Sequence, residues 1–355
     1  MSELRGMALL CICICLLSGP AQAQMPVPSA PELGARGYIL LDPHSGRVLA
    51  AKNENERLDP ASITKLMTAY VVFRALASGQ IALSDPVLIS EKAWRTAGSR
   101  MFIEVGTRVT VEELVQGMIV QSGNDASVAL AEYVAGTEAT FAQIMNQYAA
   151  ELGMLNTQYR NATGLPADGH FTSATDIARL TTALIEEFPE YYRWYSQREF
   201  TYNSITQKNR NALLWRDPSV DGLKTGMTDA AGYCLVASAK RDDMRLISVV
   251  LGTKSSSARA KDSQALLNYG FRFFETRLLY PAGDSVTEAR VWKGDSETTT
   301  VGVRQDLYVT IPRGSYDQLE ASVELPPTLV APVDRTTRLG KVRVNLHSEL
   351  LAEAN

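Results

Sequence analysis

Histidine, cysteine, basic clusters and long apolar runs are all scarce in this 355-residue sequence. Its histidines are His44, His170 and His347. None belongs to a His-Glu-x-x-His helix, so zinc-peptidase chemistry has no foothold. A Ser-His-Asp hydrolase is disfavoured too, because His347 lies in the last part of the chain and no Gly-x-Ser-x-Gly elbow occurs. Three cysteines, Cys11, Cys13 and Cys15, sit in one N-terminal apolar run, which leaves Cys234 alone downstream. A single thiol forms no internal disulfide, so stability must come from packing. Cys234 is flanked by Tyr233, Leu235 and Val236, the setting of a small buried hydrophobe. The formal net charge is -4 and no Lys/Arg run stands out, which argues against nucleic acid as a partner. No internal repeat, low-complexity tract, metal motif or cofactor motif is present, and no cofactor is expected.

What is there begins with an export signal. Arg5 precedes the apolar run Met7 to Leu17, Ser18-Gly19-Pro20 ends it, and Ala21-Gln22-Ala23 offers small residues at a cleavage site before Gln24. The run is short for a spanning helix. Residues 1–23 are therefore expected to be a signal peptide, with a retained membrane anchor as the competing reading. The mature protein is expected outside the cytoplasm, in the periplasm or on the outer face of the cytoplasmic membrane.

Beyond the Pro-rich stretch Met25 to Pro31, Gly37 to Ala50 reads as two strands around a Pro/Gly turn. Helical spacing dominates from Ser62 to about Ile185, with clear examples at Ile63–Leu76, Val111–Val120 and Ala126–Val134. Strand patterns return at Gly222–Met227, Gly232–Ala239 and Arg245–Leu251, and a helix over about Ala258–Phe274 closes the unit. The order of strands, helices, strands and helix suits an α+β domain whose antiparallel sheet is covered by helices. After Tyr280-Pro281, short β-rich runs alternate with Pro and Gly punctuation, as in a small all-β sandwich. The expected division is 24–275 for the first domain and 276–355 for the second. The closing residues His347 to Asn355 are too short and acidic for an amphipathic membrane helix, and the final sandwich strand is expected to be incomplete.

Three short motifs carry chemistry. Ser62-Ile63-Thr64-Lys65 opens a helix, so the Ser62 hydroxyl and the Lys65 amine share a face. A serine needs a neighbouring base to act as nucleophile, and a desolvated lysine can be one. The bland alternative is an N-cap serine with a surface lysine. Ser122-Gly123-Asn124 forms a polar turn between two helical runs; it is either an ordinary cap and turn or a proton relay beside a substrate-amide ligand. Lys224-Thr225-Gly226 enters a strand, where glycine permits close approach of a substrate backbone and Lys224 would offer positive charge.

Each triplet alone is weak. Their order over about 165 residues, in these local settings, is the pattern of class A β-lactamases and penicillin-binding proteins. From Gly37 to Phe274, including Gln207 to Leu214 and Gly270 to Thr276, the chain resembles the low-molecular-mass penicillin-binding proteins, the serine DD-peptidases of peptidase family S11. Residues 276 to about 346 resemble their β-rich second domain.

The resemblance implies a serine D-Ala-D-Ala carboxypeptidase acting on peptidoglycan stem peptides in cell-wall biogenesis, with β-lactams as covalent inhibitors. Ser62 would be the nucleophile, Lys65 its base, Ser122 a proton relay and Asn124 a ligand of the acyl side chain. Lys224, Thr225 and Arg259 would bind the terminal carboxylate beside Gly226, and the Met227 N–H would join the oxyanion hole. For Arg259 the residue-level alternative is a surface ion pair with Asp262. Many relatives carry histidine at the position of Met227, and relatives usually end in a membrane-binding amphipathic helix; peripheral membrane association is expected only if the chain continues beyond Asn355. Two rivals stay open: a β-lactamase, against which stands the lack of glutamate in Tyr159–His170, and an inactive peptidoglycan-binding scaffold.

Overall fold

Alternation of apolar residues in the strands sets up a sheet with two buried faces. In the computed structural model, which describes residues 27–335 and 337–355, strand β1 (Gly37–Leu41) pairs antiparallel with β2 (Val48–Lys52). Strands β3 (Val220–Thr228), β4 (Gly232–Arg241) and β5 (Met244–Thr253) follow much later in the chain and complete a five-stranded sheet in the order β2-β1-β5-β4-β3. All its neighbours are antiparallel. Along β5 the period of two is plain: Ile247, Val249 and Leu251 pack into one core, Leu246 and Val250 into another. The expected signal peptide over residues 1–23 lies outside the described residues.

The first core is built on helix α1 (Lys65–Ala77), whose Leu66, Met67, Ala69, Tyr70, Val71, Val72 and Phe73 are all buried. A helix apolar on every side belongs inside a domain. Helices α2 (Val111–Val120), α3 (Asn124–Ala135), α4 (Glu138–Glu151) and α5 (Ala174–Glu187) pack around it. Helix α2 starts with a reciprocal capping box, Thr110 accepting from the Glu113 N–H and Glu113 from the Thr110 N–H. On the far face of the sheet lies α6 (Ser256–Phe273), burying Leu266, Leu267 and Phe271. Fully burying such a side chain contributes about 1.5–3 kcal/mol, so the three layers hold the sheet rigid. The α+β reading stands.

From Phe274 on, the chain is β-rich. Strand β6 (Phe274–Tyr280) pairs with β9 (Leu307–Pro312), and β7 (Ser285–Trp292) with β8 (Thr298–Gly302). Strands β10 (Leu319–Glu324), β11 (Lys341–Leu346) and β12 (Glu349–Ala354) form an antiparallel sheet. Val309, Ile311, Val342, Val344 and Leu346 fill the core between these sheets. Within His347 to Asn355, where the sequence leads to an expectation of an incomplete final strand, Glu349–Ala354 form β12, paired to β11 after a turn at His347. Leu351, Ala352 and Ala354 pack against the core, a pattern too short and irregular to separate from a frayed end in sequence.

The two units meet at the β1–β2 turn. Arg47 Nη1 donates to the Thr310 carbonyl at 2.6 Å, Ser45 and Thr310 share a hydroxyl contact of 2.6 Å, and Thr276 Oγ1 donates to buried Asp42.

Candidate active site

Ser62 lies on a 3-10 turn, Ala61–Thr64, that runs into α1, and not on the α-helix itself. Residues three apart eclipse in a 3-10 turn, which sets Ser62 directly over Lys65. Ala61 adopts a left-handed φ of 46° to make the turn, a conformation that costs energy in a non-glycine residue and recurs at functional sites. The serine stays half-buried, whereas Lys65 is 1% exposed.

The Lys65 amine touches three oxygens: Ser62 Oγ at 3.0 Å, Asn124 Oδ1 at 2.7 Å and the Thr163 carbonyl at 2.6 Å. Burial, reinforced by the nearby Arg210 guanidinium and partly offset by Asp125, lowers its pKa to about 7. A neutral amine has two N–H bonds and one lone pair. Asn124 Oδ1 and Thr163 O can only accept, so they engage the two N–H groups and leave the lone pair facing the Ser62 hydroxyl. That arrangement can remove a proton from a serine.

The turn between α2 and α3 supplies the opposite wall. Ser122 has a left-handed φ of 67°, and its Oγ receives a hydrogen bond from Lys224 Nζ at 2.8 Å. Lys224, 3% exposed on β3, also donates to the Thr225 carbonyl at 2.9 Å. Burial holds its pKa well below the usual lysine value, aided by repulsion from Lys65, Arg210 and Arg259. Asn124 Nδ2 donates to the Ala97 carbonyl at 2.6 Å. Its amide is thus tied at both ends inside the protein, where it orients Lys65. Asp125 anchors the wall by accepting from the N–H groups of Met101, Phe102 and Ile103.

Strand β3 is an edge of the sheet and passes close to the serine turn. A Cβ on Gly226 would lie 3.2 Å from Ala61 Cβ, Ile63 Cγ1 and the Pro60 carbonyl, so glycine lets strand and turn approach. Thr225 is buried beside it, and Met227 is 52% exposed. Arg259 does not pair with Asp262. It reaches from α6 under the sheet edge, donating to the Gly226 carbonyl at 2.9 Å and the Cys234 carbonyl at 3.4 Å. No carboxylate among the described residues neutralises it by an ion pair. Cys234 itself is buried, its thiol pushed up to about 11 chiefly by that burial, and is inert at neutral pH.

The structure therefore gathers Ser62, Lys65, Ser122, Asn124, Lys224, Thr225, Gly226 and Met227 around one cleft, with Arg259 behind it. Two contributors escaped the sequence reading. Thr163 acts through its backbone carbonyl, which has no side-chain signature. Arg210 is exposed, yet its charge bears on Lys65, Lys224 and Arg259. It is held by its neighbour Asn211, whose Nδ2 donates to the Gly222 carbonyl of β3 at 2.9 Å; its place in the segment Gln207 to Leu214 was the available signal. Among the described residues no group of three or more His, Cys, Asp or Glu could hold a metal ion.

Known proteins match along nearly the whole chain. A profile of the D-alanyl-D-alanine carboxypeptidases, peptidase S11, matches residues 24–255, and one of the penicillin-binding protein 5 C-terminal domain matches residues 274–355. The D-alanyl-D-alanine carboxypeptidase DacC of Escherichia coli is 45% identical over 99% of this chain and 90% of its own length. Penicillin-binding protein 5 from Haemophilus influenzae superposes with a TM-score of 0.88 at 42% identity, over 92% of this chain and 97% of that one. Penicillin-binding protein D2 from Listeria monocytogenes, solved with ampicillin bound, matches with a TM-score of 0.64 at 30% identity, over 69% of this chain and all of its own. With a serine, two buried lysines and an edge strand assembled as described, and identity at this level over almost its full length, the chain belongs to the D-alanyl-D-alanine carboxypeptidases of peptidase family S11.

Proposed function

We propose that this chain is a serine carboxypeptidase that removes the terminal D-alanine from peptidoglycan stem peptides through an acyl-enzyme on Ser62. The observation that carries the reading is the buried Lys65 amine, 3.0 Å from Ser62 Oγ and held by Asn124 Oδ1 and the Thr163 carbonyl, with burial lowering its pKa to about 7. Lys65 takes the Ser62 proton as Oγ attacks the penultimate carbonyl. The N–H groups of Ser62 and Met227 stabilise the oxyanion, a contribution of about 3–4 kcal/mol for such a donor. Ser122, hydrogen-bonded to Lys224, relays to the departing amine the proton that Lys65 took from Ser62, so that both side chains end as they began. Lys224, Thr225 and Arg259 supply the field that holds the substrate carboxylate, to which Arg210 adds, and Asn124 faces the acyl side chain. Water then releases the shortened peptide.

A β-lactam acylates Ser62 in the same way, as the relative with bound ampicillin supports. The loop 159–170 presents the Thr163 carbonyl to Lys65, and its one acid, Asp168, is exposed. A long-lived penicilloyl adduct, in place of rapid β-lactam hydrolysis, is the consequence. Export across the cytoplasmic membrane, resting on residues 1–23, and a role in cell-wall biogenesis complete the reading. Among the described residues no helix is long and apolar enough to cross a membrane.

Mass spectrometry after incubation with benzylpenicillin tests the site. A single penicilloyl adduct on the Ser62 peptide, lost in Ser62→Ala, is expected; an adduct that survives Ser62→Ala would overturn the assignment of the nucleophile.

A further inference from the structure

Residues 159–170 form a closed loop whose neck is the pair Gln158–Phe171, with the adjoining Thr172 bridged to Leu58 just ahead of the serine turn. The loop is laced onto the serine turn and α1 at three points. Thr68 Oγ1 donates to the Ala162 carbonyl at 2.7 Å, Lys65 Nζ to the Thr163 carbonyl at 2.6 Å, and buried His170 Nε2 lies 2.9 Å from Thr64 Oγ1. Gly164 sits so close to the serine turn that a Cβ there would come within 1.8 Å of the Ala61 carbonyl and 2.9 Å of Thr64 Oγ1. The loop is thus the surface against which the turn carrying Ser62 is moulded.

His170 is the one ionisable side chain in this lacing apart from Lys65. Its Nδ1 faces the Arg160 N–H at 3.4 Å and must accept, so the neutral ring carries its proton on Nε2 and donates it to Thr64 Oγ1. Tyr159 packs edge-on to the ring at a centroid distance of 5.8 Å. Burial and the Arg160 charge lower the histidine pKa to about 4, so the ring stays neutral wherever Lys65 can act as base. The groups that bear on Lys65 are Arg210, Lys224 and Asp125; His170 touches none of the reacting atoms.

We infer that His170 is a positioning residue for the general base: its hydrogen bond to Thr64 clamps the loop so that the Thr163 carbonyl holds the Lys65 amine with its lone pair on Ser62. The inference rests on the proposed acylation of Ser62. Without the clamp the loop lifts, water reaches the amine, and one of its two fixed acceptors drifts. Both changes weaken the base. The misorientation slows acylation, and hydration returns the lysine pKa toward its ordinary value, which moves the acid limb of the rate to higher pH.

The test is the second-order rate of acylation by a fluorescent penicillin from pH 5.5 to 9.5, with melting temperatures measured alongside, on the full chain and three variants. Thr64→Val removes the acceptor without changing the volume much, and His170→Ala removes the donor. His170→Gln keeps a donor for Thr64 and an acceptor for the Arg160 N–H. We expect Thr64→Val and His170→Ala to slow acylation at pH 7 by about ten- to a hundredfold and to raise the midpoint of the acid limb by about one unit, while His170→Gln retains most of the rate and the midpoint. If His170→Ala fails to fold, Thr64→Val decides alone. A purely structural histidine would lower the melting temperature and leave rate and midpoint in place; that result in Thr64→Val overturns the inference. Absence of acylation in the unmodified chain would instead overturn the Ser62 reading, and the positioning role with it.

Discussion

At the scale of single residues, the proposed chemistry depends on keeping one lysine neutral in a protein that surrounds it with positive charge. Lys65, Lys224, Arg210 and Arg259 crowd one cleft, and the partial compensation for Lys65 comes from Asp125. Such crowding favours the neutral form of the buried amines and an anionic substrate. Exchange of Lys65 for Arg, which stays protonated, is expected to lower acylation by about 10²–10⁴-fold; a Lys65→Arg variant labelled at the normal rate would refute the role of base. The sign of the pH dependence follows from the lowered pKa of about 7. The protonated amine dominates below that value and cannot accept a proton, so acylation falls as pH drops through 7 and rises toward a plateau above it. A profile already flat from pH 5 would contradict this. Ser62, Lys65, Ser122, Asn124 and Lys224 were legible because side-chain identity and spacing survive in sequence. The Thr163 carbonyl was not, since any residue there carries the same oxygen.

At the scale of elements, the site is a meeting of three pieces that each carry strain or close contact. The serine turn bends through Ala61, the α2–α3 turn through Ser122, and β3 comes near through Gly226. Gly164, with φ of 83° and no room for a Cβ, fixes the fourth contact. Gly164→Ala must therefore move either the loop or the serine turn. We expect a loss of stability of about 1–3 kcal/mol together with loss of acylation, read by thermal melting and penicillin labelling; a variant active at the normal rate would show that loop and turn need not touch. The helical and strand periodicities placed α1, α2, α3 and the later strands in sequence because their buried faces repeat. The hairpin Glu199–Tyr202 with Ile205–Lys208 escaped, since its residues are mostly exposed and the alternation of Phe200 and Tyr202 with Glu199 and Thr201 spans only four residues.

At the scale of the whole molecule, the β-rich unit is fastened to the β1–β2 turn and not to the cleft. Asp42, fully buried, accepts from Thr276 Oγ1 and from the Ser45 N–H, and Arg47 bridges to Thr310 and Glu349. Removing that carboxylate leaves buried partners unsatisfied, which costs about 1–3 kcal/mol. Asp42→Ala is expected to separate the thermal unfolding of the two units in calorimetry while leaving acylation at 25 °C unchanged; a loss of acylation without separation would place the junction's influence at the active site. The α+β unit followed by a β sandwich could be read from composition shifts and turn residues. The role of β12 could not, because six residues with mixed exposure gain meaning only from pairing with β11.

Release of D-alanine from an acyl-Lys-D-Ala-D-Ala peptide measures a Ser62-dependent carboxypeptidase directly. Turnover by the mature chain that disappears in Ser62→Ala is the predicted result. No D-alanine from either protein, with penicillin left intact and unattached, would rule out the carboxypeptidase and leave a peptidoglycan-binding scaffold in its place.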